Sequence, residues 1–193
     1  TGEGLDFTAG TKSSANLDVD AIETEQEDIA TKQVTLGFCN NAGGSIDTPL
    51  LSITRCATYT LADGGQNQSA VDIVAWHKSQ VTLGAPSSEW MPYADVVKWN
   101  VRNATQFKRA NISQNDFEGF KTYASIVKAY NNATNGEGDS FEIKDGQANY
   151  VFVKTVSGQY AVIKIDSLNN KSLGDNQDKY ESVTLTVKYT NQE

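Results

Sequence analysis

The aromatic residues between positions 76 and 99 are the first candidates for chemistry in this chain. All three tryptophans, Trp76, Trp90 and Trp99, lie in this stretch, with Tyr93 among them. A proline stands on either side of Trp90, so the surrounding residues predict a shaped loop and not a helix. An indole on such a loop suits stacking on a sugar ring or insertion into a partner's pocket. We take these four aromatics as candidate ligand-binding residues. The alternative is that Trp76 and Trp99 are core residues and Trp90 caps the end of the core.

Catalytic motifs are scarce. His77 is the only histidine, so any Ser-His-Asp or Cys-His mechanism would have to use it. No nucleophile elbow, phosphate-binding loop or dinucleotide-binding motif follows a predicted strand. We therefore name no catalytic residue and predict a protein that is not an enzyme. A glycan-acting hydrolase stays open as an alternative, because its two carboxylates have no characteristic spacing and the chain has 24 acidic residues.

Haem is the cofactor that the residue types allow as an alternative. Neutral imidazole and thioether both ligate haem iron, and the chain has one candidate of each, His77 and Met91. This alternative requires the two side chains to converge. Asp175, Asn176 and Asp178 lie close together without the spacing of a calcium-binding loop, so we predict no metal site and no cofactor.

The two cysteines, Cys39 and Cys56, enclose sixteen residues. This separation excludes a C-x-x-C redox pair, and two cysteines cannot supply a four-ligand zinc site. We predict a disulfide, which fits an exported protein and would stabilise the fold by about 3 kcal/mol through loop closure. Two buried free thiols are the alternative.

The elements that must position these residues are mainly strands. Residues 150–156 and 160–165 predict a hairpin with a two-residue turn at Ser157-Gly158, because Gly accepts positive φ. Residues 183–190 alternate strictly, which gives a strand with one buried and one wet face. The buried face is predicted to carry Val183, Leu185, Val187 and Tyr189.

Further strands are predicted at 34–38, 50–60 and 71–76, the last of them central, with a short turn or helix at 62–68. Asp72 lies inside this central apolar run, and we expect backbone amides to donate hydrogen bonds to it. One amphipathic helix is predicted over 114–130, beginning with a capping box of Ser113 and Asp116. Its apolar stripe, predicted to pack on the sheet, consists of Phe117, Phe120, Ala124 and Val127.

Composition limits the classes of partner. The chain has 193 residues, 38% of them hydrophobic, and a net charge of −8. The acidic balance argues against nucleic acid and against charge-driven adhesion to a membrane. We predict an acidic, flexible leader over residues 1–32, with a short edge strand as the alternative there, followed by a single β-rich binding domain over 33–193.

Four segments carry a resemblance to exported cell-envelope lipoproteins of Bacteroidetes. They are YTLA at 59–62, SAVDIV at 69–74, RNATQF at 102–107 and FVKTVSGQYAVIKI at 152–165. The Asp72-Ile73 step and the hairpin over 154–161 are also distantly similar to HmuY-type haem-binding lipoproteins. The resemblance implies an extracytoplasmic location, at the cell surface or in the periplasm, with a lipidated cysteine upstream of Thr1. Membrane attachment would then occur only through that anchor.

These observations predict a mainly β (α+β) fold: antiparallel sheets in a sandwich-like arrangement, one packed amphipathic helix and a C-terminal hairpin. The predicted function is that of an exported, non-enzymatic binding module for carbohydrate or another envelope or host macromolecule. A haem-binding lipoprotein and a glycan-acting hydrolase are the alternatives.

Overall fold

The computed structural model describes residues 28–38, 46–170 and 180–190, within which ten strands form two antiparallel five-stranded sheets. In chain order the strands are β1 (Ala30–Gly37), β2 (Leu50–Ser52), β3 (Ala57–Tyr59), β4 (Ile73–His77), β5 (Val81–Gly84), β6 (Gln106–Arg109), β7 (Ser140–Glu142), β8 (Asn149–Lys154), β9 (Tyr160–Asn170) and β10 (Tyr180–Tyr189). The first sheet has the order β1-β10-β9-β8-β6 and the second the order β3-β2-β4-β5-β7. The predicted mainly β, sandwich-like class is confirmed.

The helices are short and lie between strands. They are α1 (Leu61–Gln66), α2 (Ala94–Val97), α3 (Gln114–Gly119) and α4 (Tyr123–Asn132), with a 3₁₀ turn at Gln68–Ala70. None of the helices in the described part of the chain has the length and apolar content needed to cross a membrane.

The main core lies between the two sheets, because each sheet turns alternate apolar side chains inward. Ile73, Leu83, Ile163 and Leu185 are fully buried there. The four residues predicted for the inner face of β10 are all buried in this core, as expected. The prediction that the other face is wet is wrong at Lys188, which is buried because its ammonium donates to carbonyls at the end of α3. The strand predicted at 71–76 is also confirmed as central, since β4 is the third of five strands in its sheet and is buried throughout.

The C-terminal hairpin is confirmed, but its turn is longer than predicted. Lys154 pairs with Tyr160, and Gly158 has a φ of +82°. The Thr155 amide donates to the Gln159 carbonyl at 2.8 Å and the Gly158 amide donates to the Thr155 carbonyl at 3.0 Å. These bonds close a three-residue loop that ends in a left-handed glycine, a form that suits the strand twist as well as a two-residue turn does.

The segment 50–60, predicted as one strand, is a hairpin of β2 and β3. Its turn ends at Cys56, which has a φ of 42° and donates its amide to the Ile53 carbonyl at 3.3 Å. The Cys56 thiol is buried and has no disulfide partner among the described residues, and burial raises its pKa to about 11. Cys39 lies outside the described residues, so the Cys39–Cys56 disulfide stays a prediction.

Asp72 explains why this turn forms where it does. Its buried carboxylate accepts from the Ile53 amide at 2.8 Å and from Asn103 Nδ2 at 3.4 Å. The expected bonding to a backbone amide is therefore present. Burial raises the pKa of Asp72 to about 6 although both hydrogen bonds oppose the shift.

The single helix predicted over 114–130 is two helices. The capping box is confirmed, because Ser113 Oγ accepts from the Asp116 amide and the Asp116 carboxylate accepts from the Ser113 amide. The chain then leaves the helical conformation at Phe120, and Thr122 caps α4 by accepting from the Ser125 amide at 3.2 Å. Thr is a strong helix-initiating residue, so the sequence contains a second start signal inside the predicted helix.

The break changes which residues are buried. Phe117 is buried as predicted, whereas Phe120 and Val127 are half-buried and Ala124 is exposed. Ile126 and Tyr130 take the buried positions on α4 instead. The non-helical residues between the helices reset the phase, so the stripe of α3 does not continue into α4.

The boundary predicted at residue 32 is too late. β1 begins at Ala30 and pairs with β10 as an edge strand, which was the alternative for this segment. The Asp28 carboxylate accepts from the amide of Tyr123 at 2.5 Å, so the folded part includes residue 28. Residues 1–27, the rest of the predicted leader, lie outside the described residues, as does the acidic cluster at 175–178.

One lateral side of the sandwich brings the two sheets together. The outer edge of β6 forms an isolated antiparallel bridge with Gly138, directly before β7. The Phe107 amide donates to the Gly138 carbonyl at 2.9 Å, and the Gly138 amide donates to the Phe107 carbonyl at 3.0 Å. The candidate site is built around this junction.

Candidate functional site

A groove of about 810 Å³ opens where β6 lies beside β7, a volume within the range of small-molecule sites. Its charged and polar lining includes Lys78, Gln80, Thr82, Arg109, Glu137 and Glu142, and its aromatic lining comprises Trp76, Trp90, Phe107 and Phe141. These residues come from strands β4 and β5 and the turn between them, the loop after β5, strand β6 and the segment 135–142. Aromatic faces combined with a few converging polar groups are typical of ligand sites.

Trp90 has an exposed side chain on a fixed backbone. Trp90 is 69% exposed, as its interpretation as a ligand-binding residue requires. Its amide donates to Oγ of the buried Ser88 at 3.2 Å, and the Ser88 amide donates to the Ala85 carbonyl at 2.9 Å. Ala85 in turn donates to the Asp139 carbonyl at 2.8 Å. Because these bonds already order the loop, little conformational entropy is lost when the indole binds a ligand.

Trp76 contributes the buried part of the aromatic lining. It lies on β4 facing away from the main core, and only 4% of its surface is exposed. Its ring covers Gly84 on the neighbouring strand, where an added Cβ would overlap the indole atoms Cη2 and Cζ3. A glycine at this position lets the ring lie close against the sheet beside the groove.

The other two predicted aromatics do not line the groove. Tyr93 is buried beside Trp76, and its hydroxyl donates to the Ala75 carbonyl at 2.9 Å. Trp99 is half-buried near α1, close to Gly64 and Gly65. Both rings therefore hold the loop against the second sheet. For Trp99 this corresponds to the alternative interpretation as a core residue.

His77 and Met91 do not form the predicted pair. The His77 ring is on the core side of β4, with its centroid 5.8 Å from that of Phe38 and 5.7 Å from that of Tyr180. Met91 packs against Trp76 on the opposite side of the same sheet. The sheet separates the two side chains, so the convergence on one haem iron that the haem alternative requires is absent.

Arg109 forms a cationic wall of the groove. Its guanidinium donates to Asn149 Oδ1 at 2.9 Å and to the Glu142 carbonyl at 2.6 Å, and it lies over the Phe141 ring at 4.3 Å. Burial lowers the pKa of Arg109, and the nearby charge of Glu142 opposes this shift. These contacts fix the side chain in place at the groove, which Arg109 lines.

Glu137 is a second charged residue in the lining. It accepts from the Tyr130 hydroxyl at 2.9 Å and is 3.6 Å from Lys108 Nζ. Burial and the bond to Glu137 both raise the pKa of Tyr130. Tyr130 and Lys108 thus orient the Glu137 carboxylate. The Glu137 side chain is still more than a third exposed.

The charges of the lining balance, unlike those of the whole chain. Lys78 and Arg109 provide two positive charges, and Glu137 and Glu142 provide two negative ones. The net charge of the chain is −8. The groove is thus an electrically balanced region on an acidic protein, a setting suited to a neutral ligand.

Sequence reasoning missed most of the polar lining. Arg109, Glu137 and Glu142 lie in segments that carry no motif, and they approach one another only through the contact of β6 with Gly138. No local sequence signal identifies them. Among the described residues no cluster of three or more His, Cys, Asp or Glu side chains is arranged to hold a metal ion.

Comparisons with known proteins give no relative: no protein-family model, no curated protein and no solved structure matches this chain.

Proposed function

We propose that this protein is a non-enzymatic binding module whose groove takes a neutral carbohydrate. The observation that carries the proposal is the exposed Trp90 ring, held on a fixed loop at the rim of a groove with balanced charges. A pyranose offers an apolar face of C–H groups and a rim of hydroxyls. The indole matches the face, and the carboxylate, amide and guanidinium groups match the rim.

Another envelope or host macromolecule is the partner that competes with carbohydrate. An exposed tryptophan beside a cavity is also typical of the energetic centre of a protein interface. The polar groups spread along the groove favour a ligand that carries hydroxyls over its whole length. Screening a glycan array and an extract of envelope proteins in parallel separates the two partner classes.

The decisive variant is Trp90→Ala. We expect it to weaken glycan binding by more than about 2 kcal/mol, roughly 30-fold in Kd, because an aromatic anchor carries much of the affinity at such sites. Titration calorimetry measures the affinity, and the tryptophan fluorescence of the unaltered protein should respond to the same glycan. Val156→Ala is the matched control, since Val156 is 63% exposed on the β8–β9 turn and does not line the groove. Equal affinities of the two variants would remove the basis of the proposal.

A glycan-acting hydrolase is the second candidate, because Glu137 and Glu142 both line the groove and such enzymes use a carboxylate pair. Binding alone is favoured, since the hydrogen bond from Tyr130 and the ion pair with Lys108 give Glu137 a structural role. Prolonged incubation with a bound glycan distinguishes the candidates. New reducing ends that disappear in Glu142→Gln would establish hydrolysis.

Export to the cell envelope is part of the same proposal. It is supported by the resemblance of four segments to exported lipoproteins, and the proposed Cys39–Cys56 disulfide would form in such a compartment. The intact mass of protein recovered from the envelope should then rise by two hydrogens on reduction. Recovery of the native chain from the cytosol with two thiols that alkylate before reduction would contradict this part.

A further inference from the structure

A second cavity continues the groove beyond Gly138. It has a volume of about 230 Å³ and shares two lining residues, Glu137 and Gly138, with the groove. The loop that carries Trp90 also lines the second cavity, through Ser87. The two spaces are therefore neighbouring compartments along one surface.

A single stretch of chain runs past both compartments. Thr105 lines the second cavity, and Phe107 and Arg109 line the groove. At about 3.3 Å per residue, extended chain from residue 105 to residue 109 covers about 13 Å, which is longer than one pyranose ring. The lining is thus long enough for consecutive sugars of a chain.

Only backbone separates the compartments at Gly138. The pairing with Phe107 fixes this backbone, and the absence of a side chain keeps the ridge low. A Cβ at this position would meet the Ser140 carbonyl oxygen at 3.5 Å, an ordinary contact, and the residue does not have a positive φ. The chain therefore tolerates a side chain here, and a larger one would stand between the compartments.

The second cavity also has groups that suit sugar hydroxyls. Asp139 lines it with a carboxylate whose Oδ2 accepts a long bond of 3.4 Å from the Glu89 amide. The buried hydroxyl of Thr105 has no hydrogen-bond partner within the described parts of the chain. An unsatisfied buried hydroxyl costs free energy, and a ligand hydroxyl would offset that cost only after a side-chain shift that opens this oxygen to the cavity.

From this geometry we infer that the ligand is an internal stretch of a linear, neutral glycan chain that crosses Gly138 and occupies both compartments. The inference rests on the proposed function and deepens it, because it selects chains over single terminal sugars. Affinity should therefore grow with chain length until both compartments are filled.

The test uses neutral malto-, cello-, xylo-, manno- and chito-oligosaccharides of two to six sugars, titrated by calorimetry. For the series that binds, we expect the hexasaccharide to bind at least tenfold more tightly than the disaccharide. Gly138→Val should remove this gain, so that the hexasaccharide binds no more tightly than the disaccharide. Gly119→Val is the matched control, since Gly119 lines neither compartment and an added Cβ there meets nothing within 4 Å. It should keep the full length dependence.

A second variant tests the same point away from the ridge. Ser87→Phe should fill the second cavity and also abolish the gain with length, which keeps the inference testable if Gly138→Val fails to fold. Equal affinity of disaccharide and hexasaccharide in the unaltered protein would overturn the extended-chain inference and leave the carbohydrate proposal standing. Binding of none of the five series would overturn both.

Discussion

The outer faces of the two sheets are covered in different ways. On the first sheet, α3 and α4 bury a layer of aromatic and aliphatic side chains, with Phe117, Ile126 and Tyr130 packed against Tyr150 and Phe152. On the second sheet, the mostly irregular segment 85–103 packs Met91, Tyr93 and Val96 over Trp76. A helix satisfies its own backbone and can close a face with side chains alone. The backbone of an irregular segment must find hydrogen-bond partners outside the segment. Here the segment leaves one side of the second sheet uncovered, and this uncovered side is the groove.

The irregular cover is attached by polar contacts. Asn103 donates from Nδ2 to the carbonyls of Ser69 and Val71, each at 2.9 Å, and also to Asp72. On the helical side the comparable polar contact is Lys188, which donates to the Glu118 and Phe120 carbonyls at 3.1 and 2.8 Å. The outer face of the first sheet is therefore closed by apolar burial. The cover of the second sheet is held by a buried hydrogen-bond network, which leaves room for a ligand.

The largest effect should come from opening the helical cover. We expect Phe117→Ala to lower the free energy of unfolding by about 3–5 kcal/mol, because only 3% of this residue is exposed and its removal leaves a cavity. Urea unfolding measures the change, with Ala124→Ser on the exposed side of α4 as the control. A loss below 1 kcal/mol would show that this face is not the closed layer described above.

The buried network on the other face should respond to pH. The pKa of Asp72 in the folded protein is raised from 3.8 to about 6, so its neutral form is favoured by folding. Its contribution to stability is fully present below pH 4 and is lost as the pH rises through 6. At about 1.4 kcal/mol per pKa unit, the loss is about 3 kcal/mol.

The test compares unfolding free energies of the unaltered protein and Asp72→Asn between pH 4 and pH 8. The difference between the two proteins should shift by about 3 kcal/mol toward the variant as the pH rises, whatever the absolute cost of the substitution. A difference that stays constant with pH would mean that the carboxyl titrates normally in the fold.

The polar contact on the helical side should have an intermediate effect. We expect Lys188→Met to destabilise the protein by about 1–3 kcal/mol, because it leaves the carbonyls at the end of α3 without their ammonium donor. Thermal and urea unfolding measure the loss. Lys128→Met, at an exposed position on α4, is the control and should change stability by less than about 0.5 kcal/mol. If both variants behave alike, Lys188 does not hold the end of α3.

The smallest effect on stability should come from Trp90→Ala. An indole that is 69% exposed adds little to the core, so we expect a change within about 0.5 kcal/mol in unfolding free energy. This outcome, together with the loss of glycan binding, would place the ring at the binding surface. A loss above 2 kcal/mol would show that Trp90 belongs to the cover of the second sheet.

Local patterns in the sequence predicted much of the fold. The alternation of β10 and the capping box at Ser113 follow from side-chain period and from hydrogen bonding over a few residues, and both are present. The same local patterns predicted one helix where the structure has α3 and α4, because the apolar spacing continues across the break. The cap at Thr122 and the contacts from Lys188 stabilise the break. The sequence also predicted a single strand over 50–60. The turn within this segment is stabilised by Asp72, which is distant in sequence and therefore gives no local signal.

For the candidate site, residue types and local loops could be predicted from the sequence. Which of these residues become neighbours depends on the tertiary structure. The prolines at 86 and 92 predicted a loop around Trp90, and the structure has turns there. Whether the indole is exposed or caps the core was open from the sequence, and only the tertiary structure decided it. Only the packing of β6 beside β7 brings Arg109, Glu137 and Glu142 to the same groove, and only the sheet between them separates His77 from Met91. Backbone preferences act over a few residues and are written in local sequence, whereas the neighbours of a side chain across a sandwich depend on strand order and register, which the whole chain decides together.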